Sequence, residues 1–338
     1  MIDLLVAGGG PAGLATAIHG AKAGLEVVVV ERRPGTLDKA CGEGMMPHTV
    51  AHLERLGVAP LGMPLRGISY LDGDGRADAT FRTGTGRGVR RTVLHTALAD
   101  LAETMGVRTV HGDIGTVGQD AESVFAGGLR ARYLAAADGL HSPIRTALGL
   151  SQPCQDRRRW GIRRHVQMAP WSDRVEVRWA PGSEAYVTPV AEDCVGIAVL
   201  TSSRGGFDQQ LRAFPALADR IRGHAHGQDR AAGPLRQKAR SRAAGRVLLV
   251  GDAAGYIDAL TGEGMGLAFG AAEKLVKCVV AGRTDDYDRQ WRALTRRYRW
   301  LTAGLVGAGS VSTIRSRIVP AARALPMVFA GLVNQLAA

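Results

Sequence analysis

Two kinds of apolar pattern divide the chain. Residues 2–7 (IDLLVA) and 25–31 (LEVVVVE) are short continuous apolar runs, as expected of strands buried on both faces of a parallel sheet. Between them, GGGPAGLATAIHGAKAG reads as a turn and a helix, completing a βαβ unit. PHTVAHLERLG is a short amphipathic helix with Val50, Leu53 and Leu56 on one face, and VRRTVLHTALADLAETMGV is a longer one carrying Leu94, Ala97, Leu98 and Leu101. VRTVHG, a glycine-rich hairpin and RYLAAADG follow, the last again a buried strand.

The pattern then changes. GIRRHVQM, RVEVRWA, EAYVTPV and CVGIAVLT alternate like antiparallel strands, and FDQQLRAFPALADRIRG reads as one helix. LRGISYLDGDGRADATFRT predicts a strand pair around an Asp-Gly turn outside the parallel pattern. RVLLVGDAAG returns to the buried-strand style, and two or more helices finish the chain. The predicted fold class is α/β: a Rossmann-type domain with an inserted antiparallel-sheet domain and C-terminal helices. The first domain is expected from 1–60, 84–150 and 235–281, the inserted sheet from 61–83 and 151–234, and the helical region from 282–338.

Composition narrows the partners. The 338 residues are 46% hydrophobic, with 43 Lys plus Arg against 31 Asp plus Glu, a net charge of +12. That balance favours phosphate-bearing cofactors or anionic lipid. No nucleic-acid partner is expected, since aromatics are only 5% and no recognition module is present. Cys41, Cys154, Cys194 and Cys278 have no CxxC spacing, so neither a metal site nor a disulfide framework is predicted, and a cytoplasmic setting is expected. No run reaches the length of a transmembrane helix.

Three motifs carry chemistry. Gly8, Gly10 and Gly13 in GGGPAG follow a strand and open a helix, with Pro11 and Ala12 between the last two glycines. Such a turn lets a pyrophosphate approach the backbone and sit on the helix N-terminus. Glu31 ends the second strand, placed to accept hydrogen bonds from both ribose hydroxyls of FAD or NAD. In VLLVGDAAGYIDALTGEGMG, Gly251 and Asp252 end a strand, and Asp252 is expected on the ribitol hydroxyls of a flavin. Gly262, Gly264 and Met265 then open a helix whose backbone N–H groups would face the flavin's pyrimidine edge. The third motif is AAADGLHSPIR, with Asp138.

These motifs, in this order and at this spacing, resemble the FAD-dependent superfamily of para-hydroxybenzoate hydroxylase and geranylgeranyl reductase. CGEGMMP and the TGEG form of the Gly-Asp motif are more similar to the reductase branch. The resemblance implies FAD as cofactor, NADH or NADPH as electron donor, Arg32 beside Glu31 as a cofactor residue, and Arg91 as the helix arginine reaching the cofactor (Arg90 if the register slips). It also implies a hydrophobic aromatic, polyketide or lipid-like small molecule as substrate. The hydroxylase motifs favour an NAD(P)H-dependent monooxygenase, with a reductase of isoprenoid or lipid C=C bonds as the alternative and a non-catalytic electron carrier as a minor one. The reductases' aromatic strand motif is only partly echoed by AYVTPV.

GEGM occurs twice, at 42–45 and 262–265. The first copy, with Cys41, Gly42 and Met45, is expected to wall the flavin, and the second to face its pyrimidine edge. Glu43 and Glu263 are expected to cap turns or pair with arginines. Cys41 reads as a small soft neighbour of the ring, with a redox thiol as the alternative. His165 and Tyr186 are candidate pocket residues, His165 either a base for a phenol or a satisfied structural histidine. The segment 318–338, nearly uncharged and preceded by RRYRW and RSR, is either a helix packed on the cofactor domain or a peripheral contact with an anionic membrane.

Overall fold

The computed structural model describes residues 1–73, 75–154 and 158–337. Ten helices lie among them: α1 (Pro11–Lys22), α2 (Pro47–Leu56), α3 (Arg91–Thr104), α4 (Pro143–Ala147), α5 (Phe207–Leu211), α6 (Pro215–Ile221), α7 (Gly264–Val280), α8 (Asp286–Ser310), α9 (Ser312–Ala324) and α10 (Pro326–Ala337).

The first sheet places strands Val247–Leu249, Leu129–Ala136, Ile2–Ala7, Val27–Glu31 and Arg108–His111 side by side and parallel. The central strand Ile2–Ala7 pairs on one side with Val27–Glu31, the next strand in the chain, and on the other with Leu129–Ala136, reached only after the chain has crossed back. Its chain therefore turns out at a switch point, where the carboxyl ends of adjacent strands diverge and leave a crevice. Helices α1, α2, α3 and α7 cover the sheet, and Leu4, Leu5, Val6, Ile18, Leu94, Leu98, Phe269 and Leu275 are all fully buried in that core. The apolar positions Val50, Leu53 and Leu56 of α2 are buried as the sequence pattern predicts.

A seven-stranded second sheet runs in the order Arg230–Ala232, Trp160–Gln167, Cys194–Thr201, Ser183–Ala191, Arg174–Ala180, Gly67–Asp72, Gly75–Thr80. Its four central strands are antiparallel, but Arg174–Ala180 runs parallel to Gly67–Asp72 because the two come from separate excursions of the chain. One face packs on α5 and α6 through Ile162, Val187, Ile197 and Leu217. The other faces the first domain and α9–α10 through Val177, Trp179, Tyr186, Phe329 and Val333.

One local expectation is corrected. The segment 207–223 is two helices rather than one, because Pro215 cannot donate back into a preceding turn and instead starts α6. At the C-terminus Pro326 does open a new helix, whereas Pro320 sits inside α9 without ending it.

Candidate active site

The carboxyl ends of four parallel strands meet at one crevice. Gly8 follows Ile2–Ala7 with φ of +108°, and a Cβ there would lie 2.5 Å from the Ala137 carbonyl oxygen. Gly13, inside α1, packs so closely on the turn that a Cβ would come within 1.9 Å of the Gly8 oxygen. Only glycine lets strand, turn and helix approach this closely. Gly10 is different: an added Cβ would meet nothing within 4 Å, so it borders open space. It caps α1 without a side-chain hydrogen bond, with Pro11 next, and the first N–H groups of the helix face that space. Ala12 lies against Gly251, whose Cβ would come 2.6 Å from the Ala12 methyl, so the first and last motifs touch.

Glu31 is buried at the end of its strand. Its Oε2 accepts from the Gly9 N–H at 2.8 Å, and its Oε1 accepts from the Arg33 N–H at 3.0 Å and Arg33 Nε at 3.1 Å. Burial opposes ionisation of this carboxyl, but the hydrogen bonds from Arg33 and Gly9 prevail and hold it below the usual carboxylate range. The arginine beside it is thus Arg33, while Arg32 is exposed and turns away. Strand alternation puts residues 31 and 33 on one face and sends 32 to the other.

Asp138 accepts the Ile144 N–H at 3.0 Å with Oδ2, fixing the start of α4. Arg145, also in α4, donates to the Ala253 oxygen at 3.0 Å, the Leu140 oxygen at 3.1 Å and Gln237 Oε1 at 2.9 Å. One buried guanidinium therefore ties the second motif to the third. Asp252 is exposed toward the crevice, with Lys39, Arg91 and Arg145 as its charged neighbours.

The two GEGM segments face each other: a Cβ on Gly262 would sit 3.9 Å from the Gly44 oxygen. Gly42 and Gly262 are both exposed, and Met45 is buried in a short strand paired with Gly86–Gly88. The Gly42 oxygen accepts from Thr188 Oγ1 at 2.8 Å, and the Leu260 oxygen accepts from Tyr186 OH at 3.0 Å. Each loop is thereby pinned to the second sheet by one hydroxyl. Gly264 opens α7, which has no side-chain cap, and packs against the Tyr256 ring. Arg91 starts α3, and its Nη1 reaches Met265 Sδ at 4.0 Å, while its buried Nε has no partner.

Glu43 organises the first loop. It is 1% exposed and, although not glycine, has φ of +59°. Its Oε1 accepts the Arg91 N–H at 2.8 Å, capping α3, and its Oε2 lies 2.6 Å from His165 Nε2. Arg163 Nη1 sits 2.9 Å from His165 Nδ1. Arginine only donates, so Nδ1 is the acceptor and Nε2 carries the proton given to Glu43. Arg163 also pairs with Asp38. His165 is consequently a fully satisfied buried histidine with no nitrogen left for a substrate. Cys41 Sγ accepts the Glu43 N–H at 3.4 Å, and burial pushes the thiol pKa up, away from the reactive thiolate.

Residues absent from the sequence reading also line the crevice. His95 Nε2 lies 3.0 Å from the Gly9 oxygen, and burial lowers its pKa, so it is the neutral donor there. It stands four residues after Arg91, the same-face spacing of a helix, which could have signalled it. Burial, then the nearby Arg33, lowers the pKa of Lys39. A separate cleft of about 420 Å³ lies across α2, α7, α8 and α10, lined by His48, His52, Arg55, Glu263, Arg297 and Tyr298. Glu263 turns into it, with a buried Oε1 that has no partner.

These residues fit a dinucleotide flavin. The uncapped α1 terminus beside open space suits a pyrophosphate, Glu31 suits ribose hydroxyls, and Asp252 in the crevice suits a polyol. The uncapped α7 terminus offers donors to a group that gains negative charge.

A family model described as an FAD binding domain matches residues 1–65 and 109–285. The menaquinone reductase of Mycolicibacterium smegmatis is 26% identical over 341 residues, covering 88% of this chain and 80% of the relative. A para-nitrophenol 4-monooxygenase of Pseudomonas sp. is 31% identical over 173 residues, 44% of this chain and 42% of the relative. Among solved structures, a flavoprotein/dehydrogenase from Cytophaga hutchinsonii aligns with a TM-score of 0.81 at 19% identity, covering 93% of this chain and 87% of that one.

Proposed function

The chain belongs to the FAD binding domain family and is an FAD-dependent oxidoreductase, and on that footing we propose that it reduces a carbon–carbon double bond in a hydrophobic, quinone-like or isoprenoid molecule. The observation that carries this reading is the state of His165. The one side chain that sequence reasoning offered as a base for a phenol is held on both nitrogens by Glu43 and Arg163. Without a free base there, the site suits a lipophilic substrate better than a phenol that must be deprotonated. The similarity to a menaquinone reductase over most of the chain supports the same order of preference, which reverses the one drawn from the motifs alone.

The bound flavin supplies hydride and electron transfer, and NADH or NADPH is its proposed donor. The protein's residues orient and exclude. The α1 terminus and Glu31 hold the dinucleotide end, and Arg91 and Asp252 hold the middle. The paired GEGM loops would wall the ring with their glycines, and the hydroxyls of Thr188 and Tyr186 keep those loops against the sheet. Burial keeps Cys41 as a neutral thiol, a spacer rather than a reagent.

The second reading, monooxygenation, rests on the shorter similarity to the nitrophenol enzyme. Reduced enzyme mixed anaerobically with a polyprenyl quinone separates the two. A product that still carries two extra hydrogens in its prenyl chain after the ring is reoxidised to the quinone is expected without oxygen. Product that forms only with oxygen, and carries an atom from oxygen-18 gas, overturns the reductase reading.

A further inference from the structure

The last two helices carry apolar residues on both sides. Toward the second sheet, α9 and α10 bury Val319, Ala322, Phe329 and Val333. Away from it, Met327 is 74% exposed, Leu325 57%, Val328 55%, Ile314 50% and Leu332 48%. Single exposed apolar side chains are ordinary, but Leu325, Met327, Val328 and Leu332 follow one another from the bend into α10 and make a patch. Apart from Asn334 and Gln335, α10 carries no polar side chain, as expected of a helix with a non-aqueous neighbour on its outer side.

Charge identifies that neighbour. After Asp288 the chain has eight arginines and no Asp or Glu. Arg317 and Arg323 are exposed on α9, next to the patch. The helix pair Thr313–Ala324 and Pro326–Ala337 is together long and apolar enough to cross a membrane, yet it bends by 105° and no single helix passes that test. Asn334 also fastens α10 to the sheet edge, donating to the Thr80 oxygen at 2.9 Å and accepting the Arg82 N–H at 2.7 Å. Helices fastened this way lie along an interface instead of spanning it.

We propose that the outer face of α9–α10 docks on the surface of a bilayer bearing anionic headgroups, with Leu325, Met327, Val328 and Leu332 entering the acyl boundary and Arg317 and Arg323 meeting the headgroups. Apolar insertion and arginine attraction act together in such surfaces, each arginine contributing on the order of 1 kcal/mol. The same helices cover the apolar sheet face on their inner side, so docking sets that face one helix layer from lipid.

Flotation of the full-length, flavin-loaded protein with vesicles tests this. Wild type is expected to float with phosphatidylcholine–phosphatidylglycerol vesicles and much less with phosphatidylcholine alone. A Met327→Asp/Val328→Asp double variant and an Arg317→Glu/Arg323→Glu double variant are each expected to weaken binding on the order of tenfold. These side chains are exposed, and flavin absorbance reports that each variant is folded. Wild type that stays unbound on anionic vesicles overturns the proposal, as does an aspartate variant that floats like wild type. A wild-type dimer that the aspartates split, without vesicle binding, assigns the patch to a second copy of the chain instead.

Discussion

Replacing Glu43 by glutamine tests how the first GEGM loop is held. The carboxylate accepts at both oxygens, from the Arg91 N–H and from His165 Nε2, and Arg163 lies 3.9 Å from Oε1. A glutamine keeps the shape but brings one oxygen and one NH2 group. With its oxygen toward Arg91, the NH2 meets the Nε2–H of His165. The imidazole cannot switch tautomer to accept it, since Nδ1 already accepts from Arg163. With its oxygen toward His165, the NH2 meets the Arg91 N–H. Either way one buried donor is stranded, costing about 1–3 kcal/mol, and Arg163 loses one of its charge partners. Glu43→Ala strands both donors and is expected to cost about 3–5 kcal/mol. Urea unfolding followed by tryptophan fluorescence measures this, and a cycle with His165→Ala should show a coupling of about 1 kcal/mol or more. A Glu43→Gln protein within ~0.5 kcal/mol of wild type, or a coupling near zero, would refute the tautomer reasoning.

Three further outcomes are expected. Gly13→Ala places a methyl on the Gly8 carbonyl and should weaken flavin binding by about tenfold to a hundredfold, read by flavin fluorescence on titration. Cys41→Ser should bind flavin and retain turnover within about threefold, because a half-buried thiol held neutral acts by shape; complete loss of turnover would make the thiol a reagent. Burial raises the carboxyl of Glu263 from 4.5 to about 8, against a weaker opposing pull from Arg297. Its folded state holds the proton more tightly, so its stabilising contribution is complete below pH 4.5 and is lost as pH rises through 8. Glu263→Gln should therefore match wild type near pH 5 and exceed it near pH 9 by roughly 2–4 kcal/mol in urea unfolding.

What the sequence revealed follows from the range of each interaction. The strand–glycine–helix unit at 2–22 and the Gly-Asp turn at 251–252 are local, so spacing alone marks them. Glu31 is legible because it ends a strand, and its ion-pair partner Arg33 was legible too, because strand alternation puts residues 31 and 33 on one face. His165 and Glu43 are 122 residues apart, and no periodicity predicts their contact. Lys39 lies in a segment without regular structure, which leaves no pattern to read. The break between α5 and α6 was signalled by Pro215, but the apolar spacing on either side masked it.

Arg145 also constrains how the molecule is made. Its carbonyl partner Ala253 comes 108 residues later, and strand Leu129–Ala136 waits equally long for its parallel neighbour Val247–Leu249. Five of the second sheet's seven strands are synthesised in that interval. A nascent chain that has released only the first βαβ unit therefore owns half a nucleotide site and an open strand edge, the kind of edge that recruits other chains. Flavin capture must come late, after residue 253 has left the ribosome, and cells short of flavin should accumulate aggregated chains before they accumulate inactive enzyme.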